Sequence, residues 1–212
     1  MVNVYEAAAK FYDALSGERC VYRAGRELGV ALLALRAGDT VLDLGCGTGL
    51  NLALLVDAAG PSGTVIGLDR SPEMLEIARR RVEANGWTSV RLIKADATTF
   101  NPSVVAKELP AASGGHVDAV FSSYAMSVFD DWHPAWDRMR ALLSPGGRAG
   151  IVDMQLPVGR ARVFSPLVRL AAAVGGADLA AWPWTVLERE GVQVQHESVR
   201  GGHIQVVAAT IP

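Results

Sequence analysis

The chain is poor in the features that would mark it as secreted, membrane-spanning or nucleic-acid-binding. Two cysteines, Cys20 and Cys46, occur in 212 residues. That is too few for a disulfide framework, and Cys46 lies between two glycines, where a disulfide is not expected. Both suit a reducing compartment, so a cytoplasmic location is expected. No apolar run approaches the roughly 20 residues of a bilayer span without a charge or a proline. The opening Met1-Val2-Asn3-Val4-Tyr5-Glu6 lacks the basic-then-apolar order of a secretory signal. Lysine and arginine number 20 against 22 acidic residues, for a formal net charge of −2, and no long basic run occurs. Nucleic acid is therefore not an expected partner. Internal repeats and low-complexity tracts are also missing. What remains is an oily chain, half of it apolar with a positive mean hydropathy, of a length suited to one domain with a sizeable core.

The most informative stretch is Val41-Leu42-Asp43-Leu44-Gly45-Cys46-Gly47-Thr48-Gly49-Leu50-Asn51. It reads as a buried strand, three glycines at alternate positions, and the start of an apolar helix. Such a strand–turn–helix opens a nucleotide-sized cleft at the strand's carboxyl end. The spacing bears on which nucleotide. A dinucleotide loop needs G-x-G-x-x-G, and Leu50 stands where the third glycine should be. No lysine follows, as a phosphate-cradling P-loop would require. Asp43 sits where a carboxylate would repel a pyrophosphate but attract an ammonium. A ligand with an adenine, a ribose and an amino-acid tail suits this loop: S-adenosylmethionine.

The run Asp43-Leu44-Gly45-Cys46-Gly47-Thr48-Gly49 resembles motif I of the class I S-adenosylmethionine-dependent methyltransferases, and the resemblance covers most of the chain. Further landmarks fall in that family's order: Gly67-Leu68-Asp69-Arg70-Ser71, Lys94-Ala95-Asp96-Ala97, Asp118-Ala119-Val120-Phe121-Ser122, and Leu143-Ser144-Pro145-Gly146-Gly147-Arg148. The resemblance implies an α/β, Rossmann-like fold: a seven-stranded, mostly parallel sheet with an antiparallel C-terminal strand, helices on both faces and an N-terminal helical cap.

The local patterns agree. Val4–Leu35 reads as helical with a break near Ser16-Gly17, and strands are expected at Thr40–Leu44, Thr64–Leu68, Ser89–Lys94, Val117–Ser122 and Arg148–Met154. Helices are expected at Leu50–Ala59, from Ser71-Pro72 to Ala84, at Val104–Leu109, at Pro134–Leu143 and around Ser165–Val174. Strands alternating with helices argue for right-handed βαβ units. Gly191–Val199 and His203–Thr210, separated by Arg200-Gly201-Gly202, have hairpin spacing. One domain is expected over 1–212, with a cap at 1–36, the core at 37–212 and a substrate-covering insertion at 155–190.

The family resemblance assigns cofactor contacts to the loop residues Asp43, Gly45, Cys46, Gly47, Thr48, Gly49 and Asn51. Asp69, at the end of the second strand, is placed to accept both hydrogen bonds of a ribose diol; its bland alternative is a carboxylate at the next helix N-terminus. Arg70 and Met74 would flank the adenine. Asp96 would accept from the adenine amino group and the Ala97 amide would reach a ring nitrogen, unless Asp96 is simply a solvated turn residue. Tyr12, in a Tyr-Asp pair like that of many small-molecule methyltransferases, would help cover the cofactor, and Tyr5 could join it or sit at a helix rim. The Ser122 carbonyl could receive the ammonium. Catalytic residues are not evident: Tyr124 could orient a substrate, and His133 and His203 are weak candidates for a base. No metal is expected, since Asp130-Asp131-Trp132-His133 also reads as a helix start capped by Asp131. His203 could face the cleft or lie exposed on an edge strand.

Transfer from a sulfonium carries its own driving force, so catalysis by proximity is expected, with S-adenosylhomocysteine as product. Tyr12-Asp13 and the closing Arg200–Val207 loosely resemble two groups, the phosphatidylethanolamine N-methyltransferase-like and the ubiquinone/menaquinone C-methyltransferase-like proteins. The acceptor is thus expected to be a small molecule or a lipid- or quinone-like compound. Arg160, Arg162 and Arg169 interleave with Val163, Phe164, Leu167 and Val168, which suits peripheral contact with a membrane; an ordinary buried helix with a charged outer stripe is the favoured alternative. A cofactor-binding relative without catalysis and, less favoured, a nicotinamide-dependent oxidoreductase are the rival readings.

Overall fold

The computed structural model describes residues 21–212, apart from the side chain of Ala112. Tyr5, Tyr12, Cys20 and most of the expected cap lie outside the described residues. The elements are α1 (Arg23–Leu33), β1 (Thr40–Leu44), α2 (Leu52–Ala59), β2 (Thr64–Asp69), α3 (Pro72–Asn85), β3 (Val90–Lys94), α4 (Ser103–Ala106), β4 (Val117–Ser123), α5 (His133–Leu142), β5 (Leu143–Met154), α6 (Ser165–Gly175), α7 (Thr185–Glu190), β6 (Val192–Val199) and β7 (Ile204–Thr210). Single 3₁₀ turns occupy Ala111–Ser113, Met126–Val128 and Gly159–Phe164.

The seven strands run in the order β3-β2-β1-β4-β5-β7-β6. β1 pairs in parallel with both β2 and β4, while β7 lies antiparallel between β5 and β6. Every expected strand forms, within a few residues at its ends. The largest difference is β5, expected from Arg148 but starting at Leu143, because Leu143 pairs with Val117 and the Gly146 and Gly147 backbones bond Ile211. α7 had no sequence expectation.

Strand alternation divides the core between the two faces of the sheet. Leu42, Leu44, Ile66, Leu68 and Val120 point to one side, where Trp132, Trp136, Met139 and Leu187 cover them. Val41, Val65, Ala119, Phe121 and Val152 point to the other, under Leu33, Leu52 and Leu55. Each such fully buried aliphatic side chain contributes roughly 1.5–3 kcal/mol. On α1, Gly25 and Gly29 face the sheet, and a Cβ at either would fall within 2.5 Å of Tyr124 or Val152 atoms. The missing side chains let α1 lie close to β4 and β5, which decides where Arg26 ends up.

Two expectations are corrected. His203 is not on an edge: β7 is an interior strand and the ring is buried. The segment Ser165–Gly175 is not an ordinary buried helix. Ala172 is its only buried residue, and its large apolar side chains are the exposed ones.

Candidate active site

The site lies where the strand order reverses, between β1 and β4, at the carboxyl ends of the strands, the crevice that open α/β sheets use for ligands. β1 delivers Asp43 and Leu44 into the turn Gly45–Leu50, which runs into α2. The amides of Gly45 and Cys46 both donate to the Leu68 carbonyl (2.8 and 3.0 Å), pinning the turn to β2. All three glycines have positive φ. A Cβ on Gly45 would meet Ala125 at 2.4 Å and one on Gly49 would meet Leu52 at 2.7 Å, so both are demanded by packing. Gly47 is different: among the described residues a Cβ there would meet nothing within 4 Å, so its backbone is left bare. The Cys46 side chain turns inward against Gly67. Burial, with Asp43 and Asp69 nearby, pushes its thiol well up, so it stays protonated and is no nucleophile.

Asp43 is completely buried. Its Oδ1 accepts from Asn51 Nδ2 at 2.8 Å, while Oδ2 has no hydrogen-bond partner among the described residues. Burial pushes the carboxyl up to about 7; the Asn51 bond and the charge of Arg26 pull the other way, and Asp69 adds to the rise. Around it runs a polar chain that the sequence did not suggest. Arg26 donates to Asn51 Oδ1 (3.1 Å) and Ser123 Oγ (2.6 Å), and Ser123 Oγ donates to Asn51 Oδ1 (3.1 Å). Asn51 therefore orients Asp43. The only signal for Arg26 was its place between Gly25 and Gly29, residues small enough to seat its helix on the sheet.

Asp69, half-buried at the end of β2, accepts from the Gly47 amide (2.8 Å) and the Ser71 amide (2.9 Å). One carboxylate thus ties the glycine turn to the start of α3, whose N-cap Ser71 accepts from the Met74 amide. Arg70 is exposed and Met74 half-buried beside it. Asp96 accepts from the Thr98 hydroxyl and amide (2.6 and 2.8 Å), bonds that hold its carboxyl below the usual range, and Ala97 is buried next to it. Ser122 Oγ donates to the Leu44 carbonyl at 3.0 Å, clamping β4 to the end of β1. Thr48 is buried, and its carbonyl accepts from Arg81.

The weak catalytic candidates have other occupations. Tyr124, at φ +55°, donates its hydroxyl to the Tyr22 carbonyl (2.8 Å), and the Arg26 guanidinium lies 4.9 Å from its ring centroid. It bolts α1 to the end of β4. His133 is exposed and bonds Asp131, which also accepts from the His133 amide at the start of α5. His203 donates from Nδ1 to the Gln155 carbonyl at 2.5 Å, a bond that fixes its tautomer, and lies 6.1 Å from the Tyr22 ring. A second fully buried carboxylate was also missed. Asp153, at the end of β5, accepts from the Ser127 hydroxyl and amide and from the Met154 amide, and burial pushes it up to about 6.

Next to the end of β5 is a cavity of about 500 Å³. Its wall comes from the 155–182 segment, including Gln155, Pro157, Arg162, Arg169, Leu179 and Trp182. Trp132, Trp136 and Trp184 are buried core residues, whereas Trp182 is half exposed and faces this cavity.

The residues at the glycine turn fit an adenosyl sulfonium. Among the described residues a buried carboxylate oxygen lacks a partner, and the turn's backbone is bare at Gly47. The comparisons agree. Residues 41–147 match the family model described as a methyltransferase domain. The demethylmenaquinone methyltransferase of Thermus thermophilus is 36% identical over 132 residues, covering 62% of this chain and 54% of its own. The 2-phytyl-1,4-naphtoquinone methyltransferase of Synechococcus elongatus is 32% identical over 172 residues, covering 79% and 66%. The chain thus spans between about half and two thirds of the length of these curated relatives. Among solved structures, an S-adenosylmethionine-dependent methyltransferase from Aquifex aeolicus superposes with a TM-score of 0.62 at 23% identity, covering 88% of this chain and 89% of that one.

Proposed function

The chain belongs to the class I S-adenosylmethionine-dependent methyltransferases, and on that premise we propose that it transfers the methyl group of S-adenosylmethionine to a small-molecule acceptor of the lipid- or quinone-like kind. Two observations carry the cofactor half: the orphaned Oδ2 of Asp43 and, four residues on in the same strand–turn unit, the bare Gly47 backbone. An ammonium is the partner that a buried, otherwise costly carboxylate lacks. Asp69 offers acceptor oxygens for a diol, Asp96 accepts from the adenine amino group with the Ala97 amide on a ring nitrogen, Arg70 and Met74 flank the ring, and Thr48, Gly49 and the Ser122 carbonyl complete the cradle.

When bound, the cofactor supplies an electrophilic methyl group on a positively charged sulfur. The protein's own work is to orient and to exclude water. Asn51, itself held by Arg26 and Ser123, fixes the Asp43 carboxylate, and the Asn51 bond and the Arg26 charge favour its ionised form. Ser122 and the Leu68 carbonyl hold the glycine turn at a fixed height against the strand ends. No side chain is assigned as a base; the proton that the acceptor gives up as its bond to the methyl group forms passes to solvent. The acceptor half rests on the quinone substrates in the relatives' names and on the largely apolar cavity beside β5, with residues 155–190 as its cover.

The test has two stages. S-adenosylhomocysteine should raise the melting temperature of the full chain at micromolar concentration, and NAD should not. Radiolabelled methyl donor should then label a reduced, short-tailed demethylnaphthoquinone. A thermal shift without labelling of any lysate compound would make the chain a binder lacking catalysis, and no shift would refute the proposal altogether.

A further inference from the structure

The helix for which burial was the favoured sequence reading is turned outward. Val163 and Phe164 on the preceding turn are 73% and 60% exposed, and Leu167, Leu170 and Val174 on α6 are 66%, 64% and 83% exposed. At about 100° per residue, Leu167, Leu170 and Val174 fall in one stripe. Buried Ala172 stands roughly half a turn from Leu170 and Val174. The apolar face therefore points away from the protein, not along it. Exposed apolar stripes of this length on a soluble-sized domain mark an interaction surface.

The segment that carries the stripe holds charge of one sign. Between Asp153 and Asp178 there is no carboxylate, while Arg160, Arg162 and Arg169 all fall there. Arg200 joins them: the Gly201 carbonyl accepts from the Val158 amide at 2.9 Å, which brings the β6–β7 turn against the Gly159–Phe164 turn. In a chain of formal net charge −2, this is a concentrated cationic rim around an apolar face. A second copy docked symmetrically would bring two such rims together. An anionic lipid surface would complement both the stripe and its border.

We propose that the Gly159–Phe164 turn and α6 form an interfacial docking surface for an anionic lipid bilayer, with Val163, Phe164, Leu167, Leu170 and Val174 entering the acyl boundary and Arg160, Arg162, Arg169 and Arg200 meeting the headgroups. Arg162 and Arg169 also line the cavity beside β5, so docking brings that cavity to the lipid surface. The proposal does not depend on methyl transfer and uses no cofactor.

The experiment is sedimentation of the full chain with vesicles of phosphatidylcholine containing phosphatidylglycerol, against phosphatidylcholine alone, with light scattering of the vesicle-free protein. The chain should sediment with the anionic vesicles. Leu167→Ser/Val174→Ser, two exposed positions, should abolish sedimentation without altering the melting temperature or the shift given by S-adenosylhomocysteine. Each of Arg160→Gln and Arg200→Gln should weaken partitioning about fivefold at low salt. No sedimentation of the wild-type chain would overturn the proposal, whatever S-adenosylhomocysteine does. A dimer that the double serine variant disperses would assign the stripe to a second copy instead. A fall in melting temperature in that variant would assign it to a segment of the chain itself.

Discussion

Replacing Asp43 by asparagine should make the protein more stable and a worse ligand binder at once. The carboxyl is fully buried and is pushed from its ordinary 3.8 to about 7. Three units correspond to roughly 4 kcal/mol against the ionised native state above neutrality. The sign follows from proton counting. With a folded value above the unfolded one, the native state holds the extra proton between 3.8 and about 7. Stability therefore falls as pH rises through that window and levels off above it. Between about pH 5.5 and pH 8 the loss from this group is about 2 kcal/mol. Asp43→Asn keeps an acceptor for Asn51 Nδ2 and removes the charge. Urea unfolding of the ligand-free variant at pH 8 should show a gain of roughly 1–4 kcal/mol, and its stability should lack the wild-type decline attributable to this group. Calorimetry with S-adenosylhomocysteine should show the opposite: affinity down tenfold to a hundredfold, the worth of a charge-assisted bond at about 1.5–3 kcal/mol. Wild-type affinity should itself improve as pH rises towards neutrality. A variant no more stable than the wild type at pH 8, or one that binds equally well, would refute the reasoning.

Three further substitutions test the rest of the site. Asp69→Ala removes the acceptor for the Gly47 and Ser71 amides as well as the assigned diol contact. Calorimetry should show binding weakened tenfold or more, and unchanged affinity would unseat the assignment. A Cβ added at Gly47 meets no atom of the described residues within 4 Å, so Gly47→Val should still fold, at a backbone cost of about 1–3 kcal/mol for a branched residue at positive φ. Its thermal shift with S-adenosylhomocysteine should vanish, and a wild-type shift would mean that the turn does not face the ligand. Tyr124→Phe leaves the Tyr22 carbonyl without its donor, which should lower stability by about 0.5–1.5 kcal/mol. Cofactor affinity should stay within about twofold; a large loss of turnover at unchanged stability would restore Tyr124 as a catalytic group.

The glycine turn, the strand set and the acidic strand ends were legible because each is a local device. A buried strand followed by glycines, or Ser71-Pro72 opening a helix, carries its geometry in adjacent residues. Arg26 was illegible because its partners, Asn51 and Ser123, come from other elements and meet only when α1 seats through Gly25 and Gly29. Asp153 was hidden for a similar reason: its partner Ser127 is 26 residues away, on a turn that had no pattern of its own. The 163–174 stripe fails differently. Sequence pattern marks a helix and its apolar residues. It is silent on whether the protein covers them. His203 was misjudged because the hairpin spacing located two strands without telling which of them would be the edge.

The two buried carboxylates separate a ligand-seeking group from a structural one more sharply than burial does. Asp43 and Asp153 both end strands, are both inaccessible to solvent, and are both pushed upward by burial. They differ in how fully their oxygens are used. Asp153 Oδ1 accepts from Ser127 Oγ and the Met154 amide, and Oδ2 accepts from the Ser127 amide, so the group is consumed in fixing the turn after β4. Asp43 spends one oxygen on Asn51 and leaves the other without a donor. A buried acceptor left in that condition costs free energy in the free chain, and a bound donor returns it. A cation bound at Asp43, as proposed, would therefore gain stabilisation partly by relieving a penalty built into the fold. The same cation near Asp153 would find no oxygen that is not already hydrogen-bonded.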